Sequence, residues 1–221
     1  MTDFEAAWRG RFEKLSTTNI SDALDALGLK GATFGIRPLM PQWGQVTGRA
    51  VTVKMTAAGP VQARRHLGVA AIEAAGPGDI ILIDNGGRLD VSCWGGILAN
   101  GARRKGVAAV VIDGAARDLD DCVAIDFPVY ARGPVVATAR GRVMEEATNV
   151  LVQFGGVQVS PGDVVTADRS GVVITPWARA EEVLAKAESL WEKEESMIRD
   201  IRAGLSMLEV DEKYNYEKML K

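Results

Sequence analysis

The chain has 221 residues, of which 47% are hydrophobic, and a formal net charge of −3. A chain of this size can bury one substantial core, so we expect a single domain over residues 1–221. The slight negative charge gives no general attraction for nucleic acid or anionic lipid, and no apolar run approaches the roughly eighteen residues of a membrane span. The N-terminus also lacks a signal-peptide pattern, so we expect a cytoplasmic protein with no nucleic-acid or membrane partner.

The few cysteine and histidine residues exclude several kinds of site. Cys93 and Cys122 are too few for a disulfide framework and lack the spacing of a zinc site, so we expect reduced thiols. Cys93 is either a small buried thiol or a nucleophile. His66 is the only histidine, which excludes a histidine-rich metal centre and leaves any Ser-His-Asp or Cys-His hydrolase dependent on that one residue. Metal chemistry would therefore use carboxylates and water.

The N-terminal part of the chain predicts helices at three places. Apolar residues recur at helical spacing over residues 3–15, 16–28 and 61–75, and the third of these carries His66. The second helix should end at Gly28. Its candidate N-caps are Thr18, Asn19 and Ser21.

Between and after these helices, the sequence predicts a loop and two strands. Glycines and prolines indicate a loop over residues 30–45, and alternating residues indicate a strand over residues 48–56. Lys54 on this strand either lies on a solvated face or supplies the amine of a Schiff base. A Gly-Pro-Gly-Asp turn then leads into the strand IILID, and the glycines of NGGR predict a turn before the next helix.

The stretch from Trp94 to Asp121 combines a helix and a strand buried on both faces. Apolar residues and three basic residues predict a helix over residues 95–105, with Gly106 as its C-cap. The following residues, VAAVVID, are small or β-branched and carry no polar interruption, which is typical of a central strand.

Charged residues crowd the carboxyl end of this central strand, where ligands of α/β sheets gather. Asp118 and Asp121 are hard oxygen ligands suited to Mg²⁺ or Mn²⁺, and Arg117 can hold a carboxylate or an enolate bidentately. Two glycines, Gly95 and Gly96, open the preceding helix, so its first N–H groups can bind a small carboxylate. The alternative is a solvated acidic turn in which Arg117 pairs with its neighbours.

The C-terminal part predicts strands and one long helix. FPVYARG predicts a strand, and NVLVQF, VQVS, DVVTAD and GVVITP predict four more, separated by tight turns. Strands that alternate with helices early and follow one another late favour a layered α/β sandwich with mixed strand directions. Residues 178–203 predict a long helix, and the tail over residues 204–221 is either mobile or clasps a neighbouring subunit.

Gly96, the pair Arg117-Asp118 and Asp121 have a spacing that resembles the RraA-like superfamily, which includes divalent-metal 4-hydroxy-4-methyl-2-oxoglutarate/4-carboxy-4-hydroxy-2-oxoadipate aldolases. The resemblance covers about residues 16–205 and leaves 206–221 as a C-terminal tail. It implies a three-layer β/β/α swivelling domain with a mixed sheet, assembled as a homotrimer or hexamer.

The resemblance also implies roles for individual residues. Asp118 would bind the metal directly, Asp121 would bind it through water, and Arg117 would bind the 2-oxo acid and stabilise its enolate. Arg140 would hold the distal carboxylate or the leaving group, although an exposed arginine is the alternative. The substrate carboxylate would be held by the amides of Gly95, Gly96, Ile97 and Leu98.

Together these features predict a class II, pyruvate-type aldolase that cleaves a 4-hydroxy-2-oxo acid with Mg²⁺ or Mn²⁺ and decarboxylates oxaloacetate as a side reaction. One position departs from the aldolases, which carry an acidic residue in place of Gly96. Two alternatives therefore stay open: a sugar-acid lyase of the same superfamily, and a non-catalytic RraA-like regulator that binds a protein.

Overall fold

The computed structural model of the chain describes residues 3–61 and 65–215. The helices are α1 Asp3–Phe12, α2 Thr17–Ala26, α3 Val69–Ala74, α4 Gly96–Lys105, α5 Leu119–Ala124, α6 Ala180–Arg202 and α7 Met207–Tyr214. The strands are β1 Arg37–Pro38, β2 Val46–Ala57, β3 Ile80–Ser92, β4 Ala109–Ala116, β5 Val129–Pro134, β6 Val143–Thr148, β7 Val152–Phe154, β8 Val157–Val159, β9 Val164–Ala167 and β10 Val172–Thr175.

The main sheet is mixed, as the sequence predicts. Its order is β1-β5-β4-β3-β2-β9-β10, in which β5, β4, β3 and β2 are parallel neighbours. The long strand β2 pairs with β9 through its first residues and with β6 through its last, both antiparallel. This double pairing bends the sheet around β2, so the sheet is nearly closed.

Three buried clusters define the layers. Val53, Ile83 and Ile112 lie on one face of the parallel strands and pack against α3, α4 and α5. Leu82 and Val111 lie on the other face, against the β7–β8 hairpin and the inner side of β9 and β10. The outer side of β9 and β10 packs against α1, α2 and α6. The predicted layered α/β sandwich with a long C-terminal helix is therefore confirmed.

The second helix is present, but the predicted N-caps Thr18, Asn19 and Ser21 are wrong. Ser16 is the N-cap: its hydroxyl accepts the Asn19 N–H at 3.1 Å, and the Asn19 amide oxygen accepts the Ser16 N–H at 3.3 Å. This reciprocal capping box gives two backbone N–H groups a hydrogen-bond partner that the helix itself cannot supply. The helix therefore begins before the predicted caps.

The predicted helix over residues 61–75 is wrong in its first part. Among the described residues of this range, only Val69–Ala74 are helical, and Gly68, with φ of 77°, immediately precedes the helix. A left-handed residue breaks the helical path, so His66 lies in the preceding loop. Residues 62–64 of this prediction lie outside the described part of the chain.

The predicted turn at NGGR is also wrong, because these residues lie within β3. Gly86 and Gly87 have φ of 61° and 72°, and the pairing with β4 jumps from Asp84 opposite Asp113 to Arg88 opposite Gly114. Glycine tolerates these positive φ values, so the strand bulges instead of ending.

The C-terminal strands and the long helix agree with the prediction. The helix α6 has 23 residues, and Val210 of α7 is buried in the same cluster. Lys213 and Tyr214 bind Asp200 of α6 at 2.6 and 2.7 Å, so this part of the predicted tail packs on its own chain. No helix among the described residues is both long and apolar enough to cross a membrane.

Candidate functional site

The candidate site lies where β4 ends. All eight residues of β4 are buried, and Arg117 and Asp118 follow immediately. Asp118 adopts the left-handed conformation, with φ of 54° and ψ of 42°, and its backbone oxygen accepts the Cys122 N–H of α5 at 3.2 Å. This conformation is uncommon for residues other than glycine and clusters at functional sites. It separates β4 from α5 by a sharp turn.

The Asp118 carboxylate lies at the N-terminus of α4. Its Oδ2 accepts the Gly96 N–H at 3.1 Å and lies 3.4 Å from Nε of Arg117. The positive end of the helix dipole and the guanidinium therefore both lie next to this carboxylate. Both charged side chains remain partly exposed, 39% for Arg117 and 38% for Asp118, so a ligand can reach them.

Gly95 and Gly96 leave room for the carboxylates of Asp118 and Asp121, which lie close to them. A Cβ on Gly95 would lie 2.5 Å from Oδ2 of Asp118, and a Cβ on Gly96 would lie 2.5 Å from Oδ2 of Asp121. Real side chains do not make contacts this short. The structure therefore brings Arg117, Asp118 and Asp121 together around this end of α4, as the sequence predicts.

A cavity of about 330 Å³ opens beside this group. Of the predicted site residues, Gly96 and Asp121 do not line it; Ile97 is 86% exposed at its rim. The predicted residues that line it are Gly95, Ile97, Leu98, Arg117, Asp118 and Arg140. A second cavity of about 320 Å³, bordered by Pro134, Val135 and Val136, shares Arg117 and Asp118. The Arg117-Asp118 pair thus lies between two open spaces.

Several lining residues were not predicted as site residues. They are His66, Leu67, Val69, Ser92, Cys93, Trp94, Thr138 and Ala139. Ser92 ends β3, the parallel neighbour of β4, and parallel strands end at the same edge of a sheet. The predicted turn at NGGR ended this strand too early, so Ser92 was not placed at this edge from the sequence. Gly68 donates its N–H to Oε2 of Glu145 at 2.7 Å, which holds the segment next to His66 over Trp94 and Leu98.

The two thiols are protonated at neutral pH. Burial raises the pKa of the Cys93 thiol to about 12. Burial, together with the charges of Asp118 and Asp121, raises the pKa of the Cys122 thiol to about 11. A thiol needs a lowered pKa to act as a nucleophile, so Cys93 is the buried thiol of the two alternatives.

Lys54 does not have the surroundings of a Schiff-base lysine. Its ammonium group lies 3.4 Å from Glu146, and its side chain is 43% exposed. A Schiff base needs a desolvated amine, whereas this amine is solvated and paired with a carboxylate. The solvated-face alternative is therefore the one observed.

The donor set fits a hard divalent cation. No group of three or more His, Cys, Asp or Glu side chains suited to a metal occurs among residues 3–61 and 65–215. Asp118 and Asp121 supply two carboxylates, and Mg²⁺ in proteins is commonly held by one or two carboxylates together with water and substrate oxygens. This donor set suits Mg²⁺ or Mn²⁺ and not a structural zinc ion.

Comparison with known proteins shows which proteins this chain resembles. A family model described as RraA-like, Aldolase/RraA, matches residues 17–174. Protein DlpA of Legionella pneumophila is 30% identical over 203 residues, 92% of this chain and 33% of DlpA, so the chain spans about a third of that relative. A Halalkalibacterium halodurans protein named "Putative 4-hydroxy-4-methyl-2-oxoglutarate aldolase" is 34% identical over 201 residues, 91% of each protein.

Solved structures agree with the fold. The crystal structure of RraAS2 from Streptomyces coelicolor, described as an unusual member of the RNase ES inhibitor RraA protein family, has a TM-score of 0.77 to this chain. The two are 28% identical, and the match covers 86% of this chain and 96% of RraAS2. The fold implied by the resemblance is therefore confirmed.

Proposed function

The chain belongs to the RraA-like family, and from this we propose that it is a divalent-metal-dependent lyase that cleaves a 4-hydroxy-2-oxo acid. In this proposal it is a class II, pyruvate-type aldolase that also decarboxylates oxaloacetate. The observation that carries the proposal is the Asp118 carboxylate beside Arg117 at the glycine-opened end of α4. The Asp118 carboxylate can bind a hard cation, and the Arg117 guanidinium can bind a carboxylate bidentately. Both lie, together with the first amides of α4, beside a cavity large enough for a small organic acid.

Asp118 and Asp121 would hold the Mg²⁺ or Mn²⁺ ion. When bound, the ion supplies Lewis-acid stabilisation of negative charge on the 2-oxo acid. Both side chains are exposed, Asp118 in the turn after β4 and Asp121 on α5, so water and substrate can complete the coordination.

The amides at the start of α4 bind the substrate carboxylate in this proposal. The first N–H groups of a helix have no partner within the helix. Gly96 donates its N–H to Asp118, so the amides of Ile97 and Leu98 are the ones directed to the substrate. Gly95 and Gly96 leave space for the anion to approach the backbone.

Arg117 stabilises the charge that develops during the reaction. When the C4 hydroxyl loses its proton and the C3–C4 bond breaks, the bonding electrons move onto the C2 oxygen and form an enolate. The guanidinium of Arg117 donates hydrogen bonds to that oxygen. Water held by Asp121 accepts the C4 hydroxyl proton and later returns a proton to C3.

The remaining wall of the cavity sets the length and charge of the substrate. Arg140 and Thr138 lie on the loop between β5 and β6, and His66 lies on the loop before α3. A cavity of about 330 Å³ has room for roughly ten water-sized groups, which is more than pyruvate fills. Arg140 would therefore bind a distal carboxylate of a longer 2-oxo acid.

A second candidate function is that of a protein-binding regulator, because the fold matches RraAS2, a protein described as a member of an RNase ES inhibitor family. The Arg117-Asp118 pair and the adjoining cavity support the enzyme over the regulator. A sugar-acid lyase is a third candidate, because this chain has Gly96 where the aldolases have an acidic residue.

We further propose a single domain over residues 1–221 that assembles as a homotrimer or hexamer in the cytoplasm. The three buried clusters share one sheet, and the two cysteines are free. Exposed apolar residues beside the site, Ile97 and Val136, are typical of surfaces that another copy covers. Light scattering tests the assembly, since a mass near 23.6 kDa would be that of a monomer.

The function is tested with oxaloacetate, which presents the same 2-oxo carboxylate and yields the same pyruvate enolate when it loses CO₂. Pyruvate is measured with coupled lactate dehydrogenase, with Mg²⁺ and with EDTA, and the rate with free Mg²⁺ alone is subtracted. We expect metal-dependent turnover that Arg117→Ala abolishes. A rate no higher than that of the free ion would favour the regulator or the sugar-acid lyase.

A further inference from the structure

The backbone carbonyl of Trp94 receives two hydrogen bonds from different parts of the site. The Ser92 hydroxyl donates to it at 2.7 Å, and the Arg117 N–H donates to it at 3.0 Å. The Ser92 oxygen also accepts the Trp94 N–H at 3.3 Å. The Ser92 side chain therefore binds both the backbone N–H and the backbone carbonyl of Trp94.

Ser92 also connects this turn to a second wall of the cavity. Its own N–H donates to the Ala137 carbonyl at 3.0 Å, and Ala137 lies on the loop between β5 and β6 that carries Arg140. Ser92 lines the cavity and is only 3% exposed, so water hardly competes for its hydroxyl. One buried hydroxyl thus lies where the three chain segments around the cavity meet.

The chain immediately after Trp94 cannot fix its own conformation. Gly95 and Gly96 follow, and glycine has the widest choice of backbone conformations of any residue. The peptide between Trp94 and Gly95 leads directly to the amides at the start of α4, and its oxygen is tied to the backbone of Arg117. Its orientation therefore determines how these amides and Arg117 lie relative to each other.

We propose that Ser92 is a positioning residue, whose hydroxyl orients the Trp94-Gly95 peptide and through it sets Arg117 against the amides of α4. This inference rests on the proposed function, in which the α4 amides bind the substrate carboxylate and Arg117 binds the adjacent 2-oxo oxygen. Ser92 itself does not contact the reacting atoms. Its removal should loosen the ligand-binding geometry more than it destabilises the fold.

Thr52 provides a matched control for a hydroxyl that is only structural. It is fully buried in β2 of the same sheet, its Oγ1 donates to the Val150 carbonyl at 2.6 Å, and it does not line the cavity. Thr52→Val and Ser92→Ala each remove one hydroxyl that binds a backbone carbonyl. The two variants should differ in ligand binding and resemble each other in stability.

The test measures the dissociation constant of oxalate by calorimetry in the presence of Mn²⁺, together with the melting temperature. Oxalate resembles the pyruvate enolate and has no distal group, so its binding depends on the metal site, Arg117 and the α4 amides and not on Arg140. We expect Ser92→Ala to weaken oxalate binding at least about tenfold, equivalent to about 1.4 kcal/mol. Ser92→Thr, which restores a hydroxyl, should return the affinity to within about threefold of wild type.

Thr52→Val should lower the melting temperature by an amount similar to Ser92→Ala and leave oxalate affinity unchanged. Unchanged oxalate affinity in a folded Ser92→Ala variant would overturn the inference. Should Ser92→Ala not fold, Ser92→Cys carries the same test, because its thiol fills the space but is a weak donor. No oxalate binding by the wild-type protein would overturn the proposed function as well, so the two failures are distinguishable.

Discussion

The carboxylate of Asp121 lies where a side chain at Gly96 would begin. A Cβ at position 96 would lie 2.5 Å from Oδ2 of Asp121 and 2.9 Å from its Cβ. A side chain at position 96 and Asp121 in its present place therefore exclude each other, so Asp121 must shift if residue 96 is not glycine. In this chain α5 supplies the carboxylate next to the first residue of α4.

This exclusion predicts the effect of filling position 96. Gly96→Ala should lower the free energy of unfolding by about 1–3 kcal/mol, the usual range for overpacking. Gly101→Ala on the same helix is the control, since its Cβ would be no closer than 3.7 Å to Ile72. Alanine there should stabilise the helix by about 0.5–1 kcal/mol.

A double mutant identifies the clashing partner. Asp121→Ala removes the contact at 2.5 Å but keeps the Cβ at 2.9 Å, so it should relieve part of the cost of Gly96→Ala. Denaturant unfolding of the four proteins gives the coupling energy. If the effects of the two substitutions on the free energy of unfolding are strictly additive, Asp121 is not the residue that a side chain at position 96 contacts.

Asp118→Asn should weaken Mn²⁺ binding at least about tenfold without unfolding the protein, because a neutral amide keeps the shape but loses the charge that attracts a divalent cation. Asp120→Asn is the matched control, as Asp120 is an exposed neighbour on the same turn. Calorimetric titration of Mn²⁺ into the three proteins measures the difference. Equal affinity in both variants would remove Asp118 from the metal site.

Arg117→Lys should lower kcat/KM for oxaloacetate at least about tenfold, because lysine keeps the charge but loses the planar fork that holds a carboxylate bidentately. Arg104→Lys on the exposed side of α4 should leave kcat/KM within about twofold. Near-normal kinetics for Arg117→Lys would place the guanidinium outside the chemistry.

Arg140 should select a substrate with a distal carboxylate. The matched probes are 2-oxoglutarate and 2-oxopentanoate, which have the same chain length and differ in the carboxylate at the far end. Wild type should bind 2-oxoglutarate at least about tenfold more tightly, and Arg140→Gln should reduce this preference several-fold.

Oxalate affinity should not change in the Arg140→Gln variant, because oxalate has no distal group. Arg103→Gln, which removes an exposed positive charge outside the cavity, controls for the general field of the protein. If wild type and Arg140→Gln prefer 2-oxoglutarate over 2-oxopentanoate equally, Arg140 is an exposed arginine that does not bind the distal carboxylate.

The central part of the site could be predicted because its residues are close in sequence. The helix α4, the strand β4 and the charged turn lie within residues 94–121, and Gly106 adopts the left-handed C-cap as predicted. The wall formed by His66 and Thr138 could not be predicted this way. It depends on long-range contacts such as the Gly68 N–H bond to Glu145, which no local pattern reveals.

The errors in the fold prediction have local physical causes. The turn expected at NGGR is a bulge, since consecutive glycines permit a turn and a bulge equally well, and the pairing with β4 decides between them. The N-cap of α2 was misplaced because several polar residues compete, and the reciprocal bonds of Ser16 and Asn19 decide the start.

The packing of α2 against α6 has a consequence for the order of events during synthesis. Ile20 and Leu24 of α2 share a buried cluster with Leu184 of α6, and Arg11 binds Glu188 at 2.7 Å. The apolar face of the emerging N-terminal helices therefore stays uncovered until α6 has left the ribosome. We expect this layer to form only after α6 has been synthesised, so until then the nascent chain relies on chaperones that shield apolar surface.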